Sequence, residues 1–397
     1  MRQKSLTEEE GPELELSEPF DPLSISIETK NLLVQTIVNR LAQGTIRLAP
    51  KFQREEVWKE PQKSRLIESI LLKIPLPMFY VASDERANYD VVDGMQRLSA
   101  LRDFIFENGD VTKEPNGKGD ALGGLEFIPS LNGKRFCDLD IFYKNRIMET
   151  ELSFTIINPG TPEDVKFTIF SRVNTGGLAL TEQEVRHALY NGPATDLLCR
   201  IVTSDAFQLA TDGKLDSSRM EDREVALRAL AFMVRSPLSF PKKGIMSEYL
   251  SDTMLIINAM PTFDSIRYQK WYASEEACCE YKITDIDTLE HRFIEGVSRA
   301  YALFEDHAFR KSLPGGKKQR INKSLLETWV CVLSELSPVE YEGLVRDKDR
   351  LHELYAEVIL DKEFNDATTR YALYPESIGK RYSIVENLVQ ETLKGWL

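Results

Sequence analysis

The chain has 397 residues and a formal net charge of -13, with 42% hydrophobic and 28% charged residues. This length favours two packed domains over one core. The acidic balance argues against a protein that coats DNA unaided, because non-specific DNA affinity comes from cations that neutralise phosphates. No apolar run is long enough to cross a bilayer, and the acidic start lacks the apolar block of a signal peptide, which predicts a cytoplasmic protein with no membrane partner.

The cysteines and histidines form no metal-ligand pattern. The five cysteines are an odd number without Cys-x-x-Cys spacing, and the four histidines are scattered along the chain. This pattern predicts reduced thiols and no zinc site. Neither haem nor flavin is expected.

Ordered structure is predicted to begin after an acidic N-terminal segment. Residues 1–21 are rich in glutamate and predict a disordered tail. Apolar residues recur at helical spacing from Ile27 to Leu41, and Gly44 follows where a helix would stop, which predicts a first helix. A loop then leads to a second helix that opens at Pro61.

A hairpin and a helix are predicted next. The apolar segments 78–82 and 89–92 flank a polar turn and have the length of strands. A helix over 95–107 follows directly. Residues 107–124 contain five glycines and alternating charges, which predicts an exposed loop that could act as a lid. Residues 152–157 alternate as a further strand.

The remaining pattern is helical. Residues 161–173 predict a helix, and Thr181 with Glu184 forms a capping box for the next one. The fold class predicted is α+β, with a mixed α/β domain over 22–192 and an all-α domain over 193–397. The predicted helices of the second domain cover 193–203, 220–235, 244–259, 287–307, 322–336, 338–360 and 376–395.

Three polar clusters of the first domain lie at loops or helix starts, and each supplies an arginine and an amide side chain. They are 52–58, 93–97 and 170–177. In the second cluster a strand ends at Asp93, and Gly94 would let anionic oxygens approach the unpaired N–H groups of the following helix, beside the Arg97 guanidinium. The alternative is a simple Asp-Gly turn.

The three clusters supply the candidate site residues. Asp93, Gln96 and Arg97 are the catalytic candidates, and Asp93 would either hold Mg²⁺ or cap the helix. The predicted nucleotide-binding and phosphate-binding residues are Gln53, Arg54, Gly94, Gln96, Arg97, Arg172, Asn174, Gly176 and Gly177.

A glycine loop in the second domain carries Lys317, Lys318 and Arg320. These cations could touch a nucleic-acid backbone, although a solvated loop is the default interpretation. The loop is not a P-loop, because the Gly-x-x-x-x-Gly-Lys-Ser/Thr spacing is absent.

The ordered motifs of the first half resemble a known family. They are Phe-Gln-Arg with Val-Trp at 52–58, Ile-Pro-Leu-Pro at 74–77, Asp-Gly-x-Gln-Arg-Leu at 93–98, and Phe-x-Arg-x-Asn-x-Gly-Gly followed by Leu and Glu-x-Arg within 170–186. Over about residues 27–235 the chain resembles the ParB/sulfiredoxin-like domain of the GmrS half of GmrSD restriction enzymes and of SspE in phosphorothioate-sensing phage defence. Family members usually carry Asp-Gly-Gln-Gln-Arg, whereas this chain has Met95 at the middle position.

The resemblance implies NTP binding and Mg²⁺-dependent hydrolysis in a prokaryotic restriction or antiphage system, with the Asp-Gly-x-Gln-Arg motif required. Because no His-Asn-His nuclease pattern is found, the expected partners are a nucleotide, DNA and a separate nuclease subunit, and an oligomer is compatible with this arrangement. Two alternatives stay open. One is a non-catalytic nucleotide-sensing or DNA-sensing switch that docks a nuclease, and the other is a DNA-nicking enzyme that uses the same pocket.

Overall fold

The computed structural model describes residues 25–48, 58–173, 180–241, 245–263 and 281–394. The chain divides into two compact units, with the boundary between Leu189 and Tyr190. The first unit contains a five-stranded sheet with helices, whereas the described part of the second contains helices and one isolated bridge. This architecture is the α+β class that the sequence predicts.

The sheet of the first unit is mixed, with strand order β1-β5-β3-β4-β2. The pairs β1/β5 and β3/β4 are antiparallel, whereas β3/β5 and β2/β4 are parallel. The predicted hairpin and the predicted strand near 152–157 are therefore confirmed. The strands are β1 (Ile27–Leu33), β2 (Ile46–Arg47), β3 (Phe79–Ser83), β4 (Tyr89–Asp93) and β5 (Glu151–Ile157).

The predicted first helix is wrong over its N-terminal half. Ile27–Leu33 is the strand β1, and helix α1 covers only Val34–Ala42. β1 pairs with β5 along its whole length, from Ile27 opposite Ile157 to Leu33 opposite Glu151. Backbone pairing to a strand more than a hundred residues away overrides the weak local preference for helix.

Helices cover both faces of this sheet. Val91 belongs to the larger hydrophobic cluster, which includes α1, α2, α3 and α4, whereas its neighbour Val92 belongs to a smaller cluster with α5 and α6. Successive side chains of a strand point to opposite faces, which explains this division. The further helices are α2 (Glu60–Leu71), α3 (Met95–Ile105), α4 (Ile141–Met148), α5 (Glu163–Val173) and α6 (Glu182–Leu189).

The predicted exposed loop 107–124 is confirmed over residues 112–116, whereas Gly117, Gly119 and Leu122 are buried against the core. A role of this loop as a lid stays a prediction. Leu122 is buried in the larger cluster, and the N–H of Asp120 donates to Asp103 O at 2.6 Å. A Cβ atom at Gly119 would lie 2.0 Å from Asp103 O. The glycine therefore allows two backbones to pack closely here. From the sequence alone, the same glycine is typical of a flexible loop.

A buried carboxylate fastens the next stretch of chain. Glu68 of α2 accepts hydrogen bonds from the N–H groups of Glu126, Phe127 and Ile128 at 3.2, 2.7 and 2.9 Å. Burial alone would raise the pKa of Glu68, but the three backbone donors outweigh it and hold this pKa below its ordinary value. The segment beside α2 is thus fixed by a charged acceptor.

The second unit follows the predicted helices closely, with two differences. The predicted helix 338–360 is two helices that meet at Asp347. Two short helices, over Asp205–Thr211 and Lys362–Ala367, are not predicted from the sequence. No described helix is both long and apolar enough to cross a membrane. The helices are α7 (Pro193–Thr203), α8 (Asp205–Thr211), α9 (Glu221–Val234), α10 (Met246–Ala259), α11 (Ile286–Phe304), α12 (Lys323–Glu335), α13 (Pro338–Arg346), α14 (Lys348–Leu360), α15 (Lys362–Ala367) and α16 (Pro375–Leu393).

The turn between β3 and β4 is organised around Asp84. Its carboxylate accepts from the N–H groups of Arg86 and Asn88 at 2.9 and 2.8 Å, and from Asn88 Nδ2 and Arg47 Nη2 at 2.7 Å each. Burial alone would raise the pKa of Asp84, but these donors lower it from 3.8 to about 2. The charged form of Asp84 therefore stabilises the hairpin that leads to the second polar cluster.

We expect the Asp84→Asn variant to lose about 2 kcal/mol of unfolding free energy at neutral pH, after allowance for partial exposure. Because the folded pKa is depressed, the difference from wild type should be complete above about pH 4 and should vanish as the pH falls towards 2. Urea unfolding of the wild type and the variant at several pH values measures this difference in unfolding free energy. The exposed neighbour Glu85 provides the control Glu85→Gln, and an Asp84→Asn difference that is equal at pH 7 and pH 2 would contradict the assignment.

Candidate functional site

The turn from β4 into α3 requires glycine. Gly94 is the N-cap of α3 with φ 97° and ψ 8°, in the left-handed region. A Cβ atom here would lie 2.4 Å from Cδ1 of Phe79, which is fully buried in the core. Both the backbone conformation and the contact with the Phe79 ring exclude a larger residue.

The start of α3 exposes backbone donors. The first hydrogen bond within the helix is donated by the N–H of Leu98 to Gly94 O. The N–H groups of residues 95–97 therefore have no acceptor within the helix. The cap residue provides no side-chain hydrogen bond, and the first turn contains no acidic side chain. Met95 and Gln96 are half-buried. This end of the helix therefore has the open donors and positive dipole end that suit an anion.

Arg97 braces the site from inside. Its Nη2 donates to Met78 O at 3.1 Å and to Asp93 Oδ2 at 3.0 Å, and its Nη1 donates to Pro77 O. The guanidinium also lies over the ring of Phe79, 4.3 Å from the centroid. Burial lowers the pKa of Arg97 from its ordinary value, whereas Asp93 opposes that change.

These contacts give Arg97 a positioning role, because they connect the chain before β3 to the end of β4. The sequence predicts instead that the guanidinium binds phosphate. The donors described above are directed at protein oxygens, so a direct contact between Arg97 and phosphate stays a prediction.

The first polar cluster approaches the second through Trp58. The N–H of Trp58 donates to Gln96 Oε1 at 3.4 Å, and the indole packs against the larger hydrophobic cluster. Trp58 directly follows the segment that carries Gln53 and Arg54, and these two predicted ligands lie outside the described residues. The end of the first cluster is therefore beside the start of α3.

The third cluster approaches from the opposite face of the sheet. Phe170 of α5 and Leu180 pack in the smaller hydrophobic cluster with Val92, the residue before Asp93. The predicted capping box of α6 is confirmed, since Glu184 Oε2 accepts from Thr181 N at 2.6 Å and Thr181 Oγ1 accepts from Glu184 N at 3.2 Å. The Arg172 side chain and residues Asn174, Gly176 and Gly177 lie outside what the structure describes.

Asp93 is the described residue that could hold a metal ion. Its side chain is 38% exposed, and Oδ2 contacts Arg97. Among the described residues no group of three or more His, Cys, Asp or Glu side chains gathers as a metal site. One carboxylate is still compatible with Mg²⁺, which typically uses one or two carboxylates together with phosphate oxygens of the substrate.

The basic loop of the second unit is partly neutralised. Lys318 Nζ lies 2.5 Å from Asp212 Oδ2 and 2.9 Å from Asp306 Oδ2, whereas Lys317 and Arg320 are exposed. Lys318 thus contributes to an internal ion-pair network. A contact between this loop and nucleic acid stays a prediction.

We expect Arg97→Ala to lower the free energy of unfolding by about 3 kcal/mol, because it removes a buried guanidinium that donates to the carbonyls of Pro77 and Met78 and pairs with Asp93. Arg65→Ala is the control, since Arg65 is exposed and forms only a surface ion pair with Glu126. Urea unfolding of both variants measures the difference. Equal losses in the two variants would refute the bracing role.

Comparison with known proteins identifies this unit. Residues 34–191 match the family described as the GmrSD restriction endonuclease, N-terminal domain, and no curated protein matches the chain. The matched range runs from the start of α1 to just beyond α6, so it contains all three polar clusters. The match indicates a component of a restriction-endonuclease type of antiphage system. The chain therefore carries an N-terminal domain of the GmrSD restriction endonuclease family.

Proposed function

We propose that this domain binds a nucleotide through its phosphates at the start of α3 and hydrolyses it with Mg²⁺ as part of DNA restriction. The observation that carries the proposal is the open helix start at Gly94, where uncapped N–H groups adjoin Gln96 and Asp93. Helix starts of this kind bind phosphate because donors and the dipole act together.

Each described side chain has a distinct task in this proposal. Gln96 holds Trp58 with Oε1, and its amide nitrogen is a donor for a phosphate oxygen. Asp93 would hold Mg²⁺, which when bound would neutralise charge on the phosphates. Arg97 keeps the ends of the two strands together, so that Asp93 and Gly94 have fixed positions.

The remaining ligands would come from the flanking clusters. Arg54 would extend from the segment that ends at Trp58, and Arg172 and Asn174 from the end of α5. Arginine and Mg²⁺ stabilise the charge that develops during phosphoryl transfer, which is how such reactions are usually accelerated. The roles of Arg54, Arg172 and Asn174 stay predictions from the sequence.

A second candidate function is a nucleotide-binding switch without turnover. The observation that favours it is the set of protein oxygens around Arg97, which occupy the donors that a catalytic arginine would direct at phosphate. Such a switch would bind nucleotide and act on a partner nuclease.

The decisive variant is Gln96→Glu, tested by calorimetric titration with each NTP in the presence and absence of Mg²⁺. The carboxylate can still accept from Trp58 N and suits the dipole of the helix start, but its charge repels phosphate. We expect nucleotide affinity to fall about tenfold or more, which corresponds to about 1.4 kcal/mol.

The matched control is Gln62→Glu at the start of α2, where Gln62 Oε1 likewise accepts a backbone N–H, from Lys59 at 2.8 Å. This variant should bind nucleotide as the wild type does. Failure of the wild type to bind any NTP, or equal affinity in Gln96→Glu, would refute the proposal. Phosphate release separates the two functions, since tight binding without release selects the switch.

A further inference from the structure

A polar cavity lies in the first unit, and none of the described residues proposed above for nucleotide binding lines it. Its volume is about 360 Å³, within the range of small-molecule sites. Apolar lining is confined to small residues, and the polar side chains that line it are Glu60, Lys63, Asn108, Lys118, Asp120 and Arg135. An occupant must therefore be a polar molecule.

One wall of the cavity is rigid. Lys63 Nζ contacts Asp103 Oδ2 at 2.6 Å and Asp120 Oδ2 at 3.6 Å, and Asp103 is buried. Gly119 packs directly on the backbone of Asp103. Asn108 has φ 55°, in the left-handed region that is uncommon outside glycine. This wall of the lining is thus held in place by contacts within the protein, which reduces the entropy cost of binding against it.

Two cations of the lining, Lys118 and Arg135, form no side-chain ion pair within 4 Å among the described residues, although the Arg135 charge lies near the Asp138 carboxylate. Arg135 Nη1 donates to Lys118 O at 3.1 Å, which places the guanidinium beside the Lys118 backbone. Neither side chain forms an ion pair there, whereas the nearby surface cations Arg65 and Lys113 pair with Glu126 and Asp110. In a chain with net charge -13, two adjacent unpaired cations at a cavity indicate an anionic ligand.

The acidic lining refines the chemistry of that ligand. Glu60 lies at the first position of α2 and borders the same cavity. A carboxylate repels a bare anion, but it accepts hydrogen bonds from hydroxyl groups. The combination of a guanidinium and an ammonium with a carboxylate fits a molecule that carries a phosphate and hydroxyl groups on the same small framework.

We propose that this cavity binds a small hydroxylated phosphate ester, with Arg135 and Lys118 on the phosphate and Glu60 on the hydroxyl groups. Among the described residues, this site shares no side chain with the proposed nucleotide site. It would give the domain a second ligand with which its activity could be regulated.

The test is calorimetric titration of the full chain at low salt with ribose 5-phosphate, inorganic phosphate and ribose. We expect ribose 5-phosphate to bind most tightly, inorganic phosphate more weakly, and ribose not measurably. Arg135→Ala and Lys118→Ala should each weaken ribose 5-phosphate binding by about tenfold, as expected for loss of a charge-assisted contact. The exposed neighbour Lys134 supplies the control Lys134→Ala, which should leave the affinity within about twofold.

Two further variants test the role of Glu60 and distinguish binding in this cavity from binding at the start of α3. Glu60→Gln should weaken ribose 5-phosphate binding by loss of the hydroxyl contact and should strengthen inorganic phosphate binding by loss of charge repulsion, and Gln96→Glu should affect neither. Binding of none of the three probes at millimolar concentration would overturn the site. Equal affinity for phosphate and ribose 5-phosphate would overturn the role of Glu60, and sensitivity to Gln96→Glu would place the ligand at α3 instead.

Discussion

The packing around the Phe79 ring is the constraint on which the site depends. Phe79 stacks on Phe154 with centroids 4.9 Å apart, and the Arg97 guanidinium covers the ring at 4.3 Å. Gly94 presses against the ring so closely that no Cβ fits. Because Phe79 is part of the central strand β3, the geometry of the helix start is fixed by the core of the sheet rather than by the surface.

This packing explains why a charged residue is buried beside a candidate ligand site. A guanidinium leaves water only where its donors find acceptors, and Arg97 finds them in the carbonyls of Pro77 and Met78 and in Asp93. The Asp-Gly-x-Gln-Arg motif at 93–97 therefore combines a structural residue with candidate ligand-binding groups. Arg97 fixes the framework, and in the proposed function the N–H groups after Gly94 and the Gln96 side chain would contact the ligand.

The alternation along β4 determines how the other clusters reach the site. Val91 and Val92 point to opposite faces, so Trp58 approaches with the larger hydrophobic cluster and Phe170 with the smaller one. Segments from both sides of the sheet thus adjoin the end of one strand. The family match over 34–191 covers both of them, which is consistent with a single functional unit.

The sequence by itself determined those features that depend on neighbouring residues: the hairpin, the glycine turn at Gly94, the capping box of α6 and the separation of a mixed unit from a helical one. Local hydrogen bonds and side-chain periodicity suffice for these. Only the tertiary structure decided that residues 27–33 are a strand, that Gly119 and Leu122 pack against the core, and that Arg97 bonds to protein oxygens. Each of these depends on partners distant in the chain, β5 for the strand, Asp103 for the glycine segment and the residues before β3 for the arginine, and local patterns carry no information about such partners.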